Sequence, residues 1–173
     1  MQQSKRYLIK IWYIGTNFAG SQRQPHQRTV EGELIKTLQR TEYLPVDNET
    51  SFKTAGRTDA GVHAIEAAFC FTSIKPFYPT LIDSWLPNDM GLSAWTEVPL
   101  DFHPRWEAGI KTYRYIYPLI KEQNGPLDYS SMHQALQHLK GTHDFRMFSK
   151  TDTTKPEKRT KITLEEAQMH VQP

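Results

Sequence analysis

Tyr7, Ile9, Ile11 and Tyr13 alternate with Leu8, Lys10 and Trp12, and only an extended strand collects those four side chains on one face. The polar, glycine-containing residues 15–27 end the run and read as a loop. Then the period changes. Val30, Leu34, Ile35 and Leu38 share one side of a helix. Thr29 is placed to cap it, with Glu31 and Glu33 in its first turn and Arg40 late, as the helix dipole favours. Gly32 costs that helix about 1 kcal/mol against alanine. Residues 52–57 and 64–72 predict two more strands, the second with Phe69 and Phe71 on one face. Thr80 would cap a short helix stopping near Pro87, and residues 92–98 alternate again. The order over roughly 7–98 is therefore β-α-β-β-α-β, the ferredoxin-like arrangement, which hosts many unrelated functions.

A second lobe begins near Phe102. Residues 112–117 predict a strand with Tyr113, Tyr115 and Tyr117 on one face. Asp128 caps a helix whose stripe is Met132, Ala135, Leu136 and Leu139 and which Gly141 ends. Residues 144–149 and 162–171 predict two further strands. The expected architecture is α+β, with a ferredoxin-like lobe at 1–101 and an incomplete second α+β lobe at 102–173. That second lobe holds β-α-β-β without a closing α-β pair, which leaves a sheet edge open and a face uncovered. The chain reads as cut short.

Composition removes several classes of function. Hydrophobic residues make up 38% of the 173 and the net charge is only +2, which supports a packed core and argues against disorder. No apolar run is long enough to span a bilayer, and the N-terminus shows no apolar core of a signal peptide. Cys70 stands alone, so neither an internal disulfide nor a thiolate zinc cluster can form, and a reducing, cytoplasmic setting is expected. His133, His138 and His143 recur at five-residue spacing, which suits no metal on a helix, and no metal is assigned. The charge is uneven. Residues 140–161 hold Lys140, Arg146, Lys150, Lys155, Lys158, Arg159 and Lys161 against Asp144, Asp152 and Glu157, a local +4 that would attract a polyanion or simply face solvent.

The densest chemical signal is AGRTDAGVHA at residues 55–64. Asp59 lies between Gly56 and Gly61, with Arg57 and His63 nearby, at a strand-to-strand junction. Glycines let the backbone bend sharply or approach a ligand closely. A carboxylate beside an arginine could stay ionised and act as nucleophile or base. Equally, Asp59 could bond its own backbone in a turn.

That run resembles the catalytic motif of the tRNA pseudouridine synthase A family. YIGTNFAGSQRQ at 13–24 is similar to the family's first strand and loop, TVEGELIKTL at 29–38 to its first helix, and DFHPRWEAGIKTYRYIY at 101–117 to the segment carrying its active-site tyrosine. KGTHDFRMFSK at 140–150 resembles a later segment. The resemblance implies the pseudouridine synthase fold and isomerisation of uridine to pseudouridine in the tRNA anticodon stem-loop. It implies no cofactor, because the reaction is neither redox nor hydrolytic, and a homodimer in the full-length protein. By the same resemblance Asp59 is the catalytic carboxylate, Arg57 its partner or a phosphate contact, and Tyr113 a stacking and proton-transfer group. Without it, Tyr113 would read as core. Arg23, Gln24, Lys155, Lys158 and Arg159 are the candidate RNA contacts. His63 joins them, although it also reads as a packed, hydrogen-bonded histidine.

Two departures stand out. The family's loop carries a tryptophan where this chain has Ser21. The family's chain also continues to a helix whose basic residue pairs with the catalytic carboxylate. A non-catalytic RNA-binding module and an inactive fragment are the competing readings, although the aromatic-and-glycine pattern of RNA-recognition motifs is absent.

Overall fold

The computed structural model describes residues 3–46, 49–107, 109–117, 127–148 and 160–171. They fall into two compact units, Met1–Tyr113 and Arg114–Pro173.

In the first unit, β1 (Lys5–Tyr13) is an inner strand of a four-stranded antiparallel sheet. It pairs with β3 (Ala64–Ser73) on one side and β4 (Met90–Val98) on the other, and the short β2 (Lys53–Thr54) pairs with β3. The strand order is β2-β3-β1-β4. The expected stripe Tyr7, Ile9, Ile11 and Tyr13 is buried throughout, with Phe69 and Phe71 of β3 in the same core. Helix α1 (Val30–Arg40) adds Val30, Leu34, Ile35 and Leu38, and α2 (Pro79–Trp85) adds Ile82. Phe77 fills the remaining space, its ring 5.2 Å from Tyr7 and 5.1 Å from Trp95.

Local chemistry explains the helix boundaries. Thr29 caps α1 by accepting the Gly32 N–H at 3.2 Å. A Cβ at Gly32 would come 2.9 Å from that capping oxygen, so the glycine that weakens the helix also makes room for its cap. Helix α2 starts before Thr80: Tyr78 is its N-cap and Pro79 its first residue. Proline is suited to that position because its missing N–H would have had no helical partner. Strand β2 covers two residues of the predicted six, because Ala55 is the last to bond β3, through its N–H to Ala68.

The second unit keeps fewer of the predicted elements. Helix α3 (Tyr129–Gln137) is capped by Asp128, which accepts the Ser131 N–H at 3.0 Å. It stops four residues short of Gly141, which instead opens β5 (Gly141–Asp144) with φ +97°. Strand β5 pairs with β6 (Lys161–Leu164), much shorter than the predicted 162–171. Where a strand was predicted at 144–149, Arg146–Phe148 form a single 3-10 turn. Residues 112–117 form no strand. Their tyrosine alternation suits a strand, but a strand exists only through ladder partners, and none among the described residues pairs with it. No described residue of this unit is buried.

Candidate active site

The Asp59 loop is held from one side by the loop that follows β1. A register shift between Ile11 and Tyr13 bends the end of β1. From there Gly15 donates its N–H to His63 Nδ1 at 3.2 Å. The two backbones then run so close that a Cβ at Gly15 would sit 2.0 Å from the Val62 carbonyl oxygen. The Phe18 carbonyl accepts the Gly61 N–H at 3.4 Å. Tyr13 and Thr58 share a hydroxyl hydrogen bond of 2.9 Å. Ser21 accepts the Thr58 N–H on Oγ at 2.7 Å and donates its own N–H to the Thr58 carbonyl at 3.0 Å.

Asp59 sits in a turn closed by the Val62 N–H on its own carbonyl at 3.3 Å, with Gly61 at φ +78°. Among the described residues its carboxylate bonds none of the loop's own backbone; the turn is built by its main chain. Asp59 and Arg57 are both exposed and form no ion pair with one another. The carboxylate is therefore presented to solvent by the backbone alone among the described residues.

The bracing loop is itself anchored. Arg28 makes two 2.7 Å hydrogen bonds to the Asp89 carboxylate and lies 4.2 Å over the Phe18 ring. Those bonds hold the Asp89 carboxyl below its ordinary value. Burial pushes the Tyr13 hydroxyl up, so it stays protonated at neutral pH and free to share a hydrogen bond with Thr58.

Beside this loop lies a cavity of about 430 Å³, formed wholly by the first unit. Arg23, Lys53, Arg57, Arg105 and Lys111 line it together with His103 and Tyr113, and among the described residues Glu31 is the one carboxylate in the wall. Lys111 donates to the Ala55 carbonyl at 3.2 Å, at the start of the Asp59 loop. An unbalanced set of cations in one concavity is an anion-binding surface. Tyr113 lines the cavity and is 85% exposed, which is not how a core tyrosine sits.

The predicted site residues separate into three sets. Arg23, Arg57 and Tyr113 come together at the cavity. Asp59 lies two residues along the loop from Arg57, outside the lining, while His63 and Gln24 are engaged within the loops: Gln24 Nε2 donates to the Ala19 carbonyl at 2.8 Å. Lys155, Lys158 and Arg159 lie outside the described residues. Sequence reasoning named Ser21 only as a departure from the family's loop, and missed Thr58, Lys53, Arg105 and Lys111. Arg105 and Lys111 were legible as cations inside the quoted segment 101–117; the others needed the fold to bring them near. Among the described residues no cluster of His, Cys, Asp and Glu could hold a metal ion, and no helix is long and apolar enough to cross a membrane.

No protein-family model matches the chain. Individual proteins do. It is 42% identical over 145 residues to a tRNA pseudouridine synthase A of Archaeoglobus fulgidus, covering 84% of this chain and 51% of that protein. Proteins of the same name from Methanosphaera stadtmanae and Methanosarcina barkeri are 36% identical over 155 residues and 40% over 157, each match covering 90% of this chain and 56% of the relative. Over most of its length the chain is thus similar to proteins named tRNA pseudouridine synthase A. It spans about half the length of the curated relatives it matches.

Proposed function

We propose that this chain is the Asp-bearing part of a tRNA pseudouridine synthase, acting on uridines of the anticodon stem-loop. The observation that carries this reading is the braced, glycine-flanked loop presenting Asp59 next to a cationic cavity with Arg57 and Tyr113 in its wall. The names of the relatives agree with it. The element order β-α-β-β-α-β and strand order β2-β3-β1-β4 support a ferredoxin-like lobe, which we assign to 1–101, with 102–173 starting a second lobe.

In the reaction the N1–C1′ bond of uridine breaks and a C5–C1′ bond forms, while C5 loses its proton and N1 takes one up, with no net change in oxidation state. The bond is hidden in stacked RNA, so the base must be turned out to be reached. The Asp59 carboxylate supplies the reacting oxygen, whose exposure leaves it open to the base. The Tyr113 ring offers a stacking surface and its hydroxyl a proton. Arg57 and the other cations of the cavity hold phosphates. Gln24 and His63 contact RNA from the adjoining loops, and Lys155, Lys158 and Arg159 are further RNA contacts. The full-length protein works as a cytoplasmic homodimer.

The test is Asp59→Ala in the protein expressed from its complete reading frame. Pseudouridine formation should vanish while tRNA binding stays near wild type, because affinity comes mainly from phosphate contacts. Turnover by the alanine variant would reject the assignment.

A further inference from the structure

Ser21 is the residue at which this chain departs from the family's loop, and it is 2% exposed. Three of its polar groups are used. Its N–H and Oγ hold the carbonyl and the N–H of Thr58, and its own carbonyl accepts the Glu31 N–H of α1 at 2.9 Å. Thr58 is bonded equally fully: its N–H and carbonyl to Ser21, its hydroxyl to Tyr13. On the other side of Asp59, Gly61 is tied to Phe18. Gly20, at φ +109°, allows the approach, since a Cβ there would stand 3.0 Å from the Thr58 carbonyl oxygen. No side chain among the described residues steadies the Asp59 carboxylate, so its place is set by these backbone ties.

We propose that Ser21 and Thr58 are positioning residues for the Asp59 carboxylate, a lock that transmits the rigidity of α1 and β1 to the reacting group. This rests on the function proposed above, which gives Asp59 its chemistry. A misplacement of about 1 Å in a reacting group can cost on the order of 100-fold in rate. The short Ser21 side chain is therefore a functional choice: its hydroxyl fits between two backbones and completes the Thr58 amide.

The experiment compares Ser21→Ala, Ser21→Thr and Tyr13→Phe with wild type, each expressed from the complete reading frame. Three quantities are measured: exchange of the Thr58 amide proton by NMR, single-turnover pseudouridine formation, and tRNA Kd. Ser21→Ala should speed Thr58 exchange and slow the chemical step roughly 10- to 100-fold, with Kd within about twofold. Ser21→Thr, which keeps the hydroxyl, should restore both exchange and rate. Tyr13→Phe, the milder variant, should slow the step less. Unchanged Thr58 exchange in Ser21→Ala, or exchange that rises while the rate stays at wild type, overturns the lock. So does a rate loss matched by an equal loss of affinity, which marks general loosening. A wild-type protein that forms no pseudouridine overturns the proposed function and the positioning role with it; an active wild type with an equally active Ser21→Ala overturns the positioning role alone.

Discussion

The two units are built from the same local grammar, a capped helix and alternating strands, yet among the described residues only the first unit buries any. Leu34 and Leu38 on α1 are fully enclosed, because β1 and β3 offer them a continuous apolar face. Met132 and Leu139 carry the stripe of the second unit and remain about two-fifths exposed. Both helices have a good N-cap, Thr29 in one and Asp128 in the other. Capping fixes where a helix starts and contributes about 1 kcal/mol, whereas burial decides whether the helix is held in place. The difference teaches that periodicity encodes a face, and a face stabilises only when it has a partner.

The largest expected effect tests that contrast directly. Leu34→Ala should destabilise the protein by about 2–5 kcal/mol, the ordinary cost of a cavity in a closed core. Leu136→Ala on α3 should change stability by no more than about 0.5 kcal/mol. Urea unfolding of both variants reads the two values, and equal losses would erase the distinction between the units.

Next comes Tyr113, an aromatic of the packed unit that is itself exposed. Tyr113→Ala should leave thermal stability unchanged and weaken binding of a uridine-containing stem-loop RNA by about 1–3 kcal/mol of stacking. Tyr113→Phe should keep most of the affinity. A drop in Tm with Tyr113→Ala would return this ring to the core.

A smaller effect concerns acid. Asp89 has its folded-state pKa lowered, first by the hydrogen bonds from Arg28. Its contribution to stability is then fully present above the unfolded carboxylate value and is lost as pH falls through the lower folded value. Denaturant midpoints measured from pH 6 downward should fall more steeply below about pH 4 for wild type than for Asp89→Asn. Parallel curves would mean that the Arg28 pair does not anchor the loop behind Ser21.

The smallest change is a silence. Burial pushes the Cys70 thiol up to about 11, so at pH 8 almost no thiolate is present in the folded protein. A thiol reagent should label Cys70 only after unfolding; rapid labelling of the native protein would show that β3 opens locally.

Much of the first unit was readable from sequence. Alternation at 7–13 and the 3.6-residue period at 30–38 each have one geometric solution, and both were found with their core faces correct. The tyrosines at 113, 115 and 117 carry an equally clear alternation and form no strand, since a ladder requires a neighbour that no single segment can specify. For the site, the Asp59 run was legible because two glycines, an arginine and a histidine around one carboxylate are chemically unusual. What holds that run was not legible. Ser21 and Thr58 are 37 residues apart and individually commonplace, and Lys111 reaches Ala55 across 56 residues. By itself the sequence determined the first strand and helix of the first unit, their core faces and the unusual run around Asp59, because those depend on backbone period and residue chemistry over a few positions. Tertiary structure alone decided which loop braces Asp59 and which cations share its neighbourhood, because hydrogen bonds and charges act over ångströms of space, and only the folded sheet converts distance along the chain into distance between atoms.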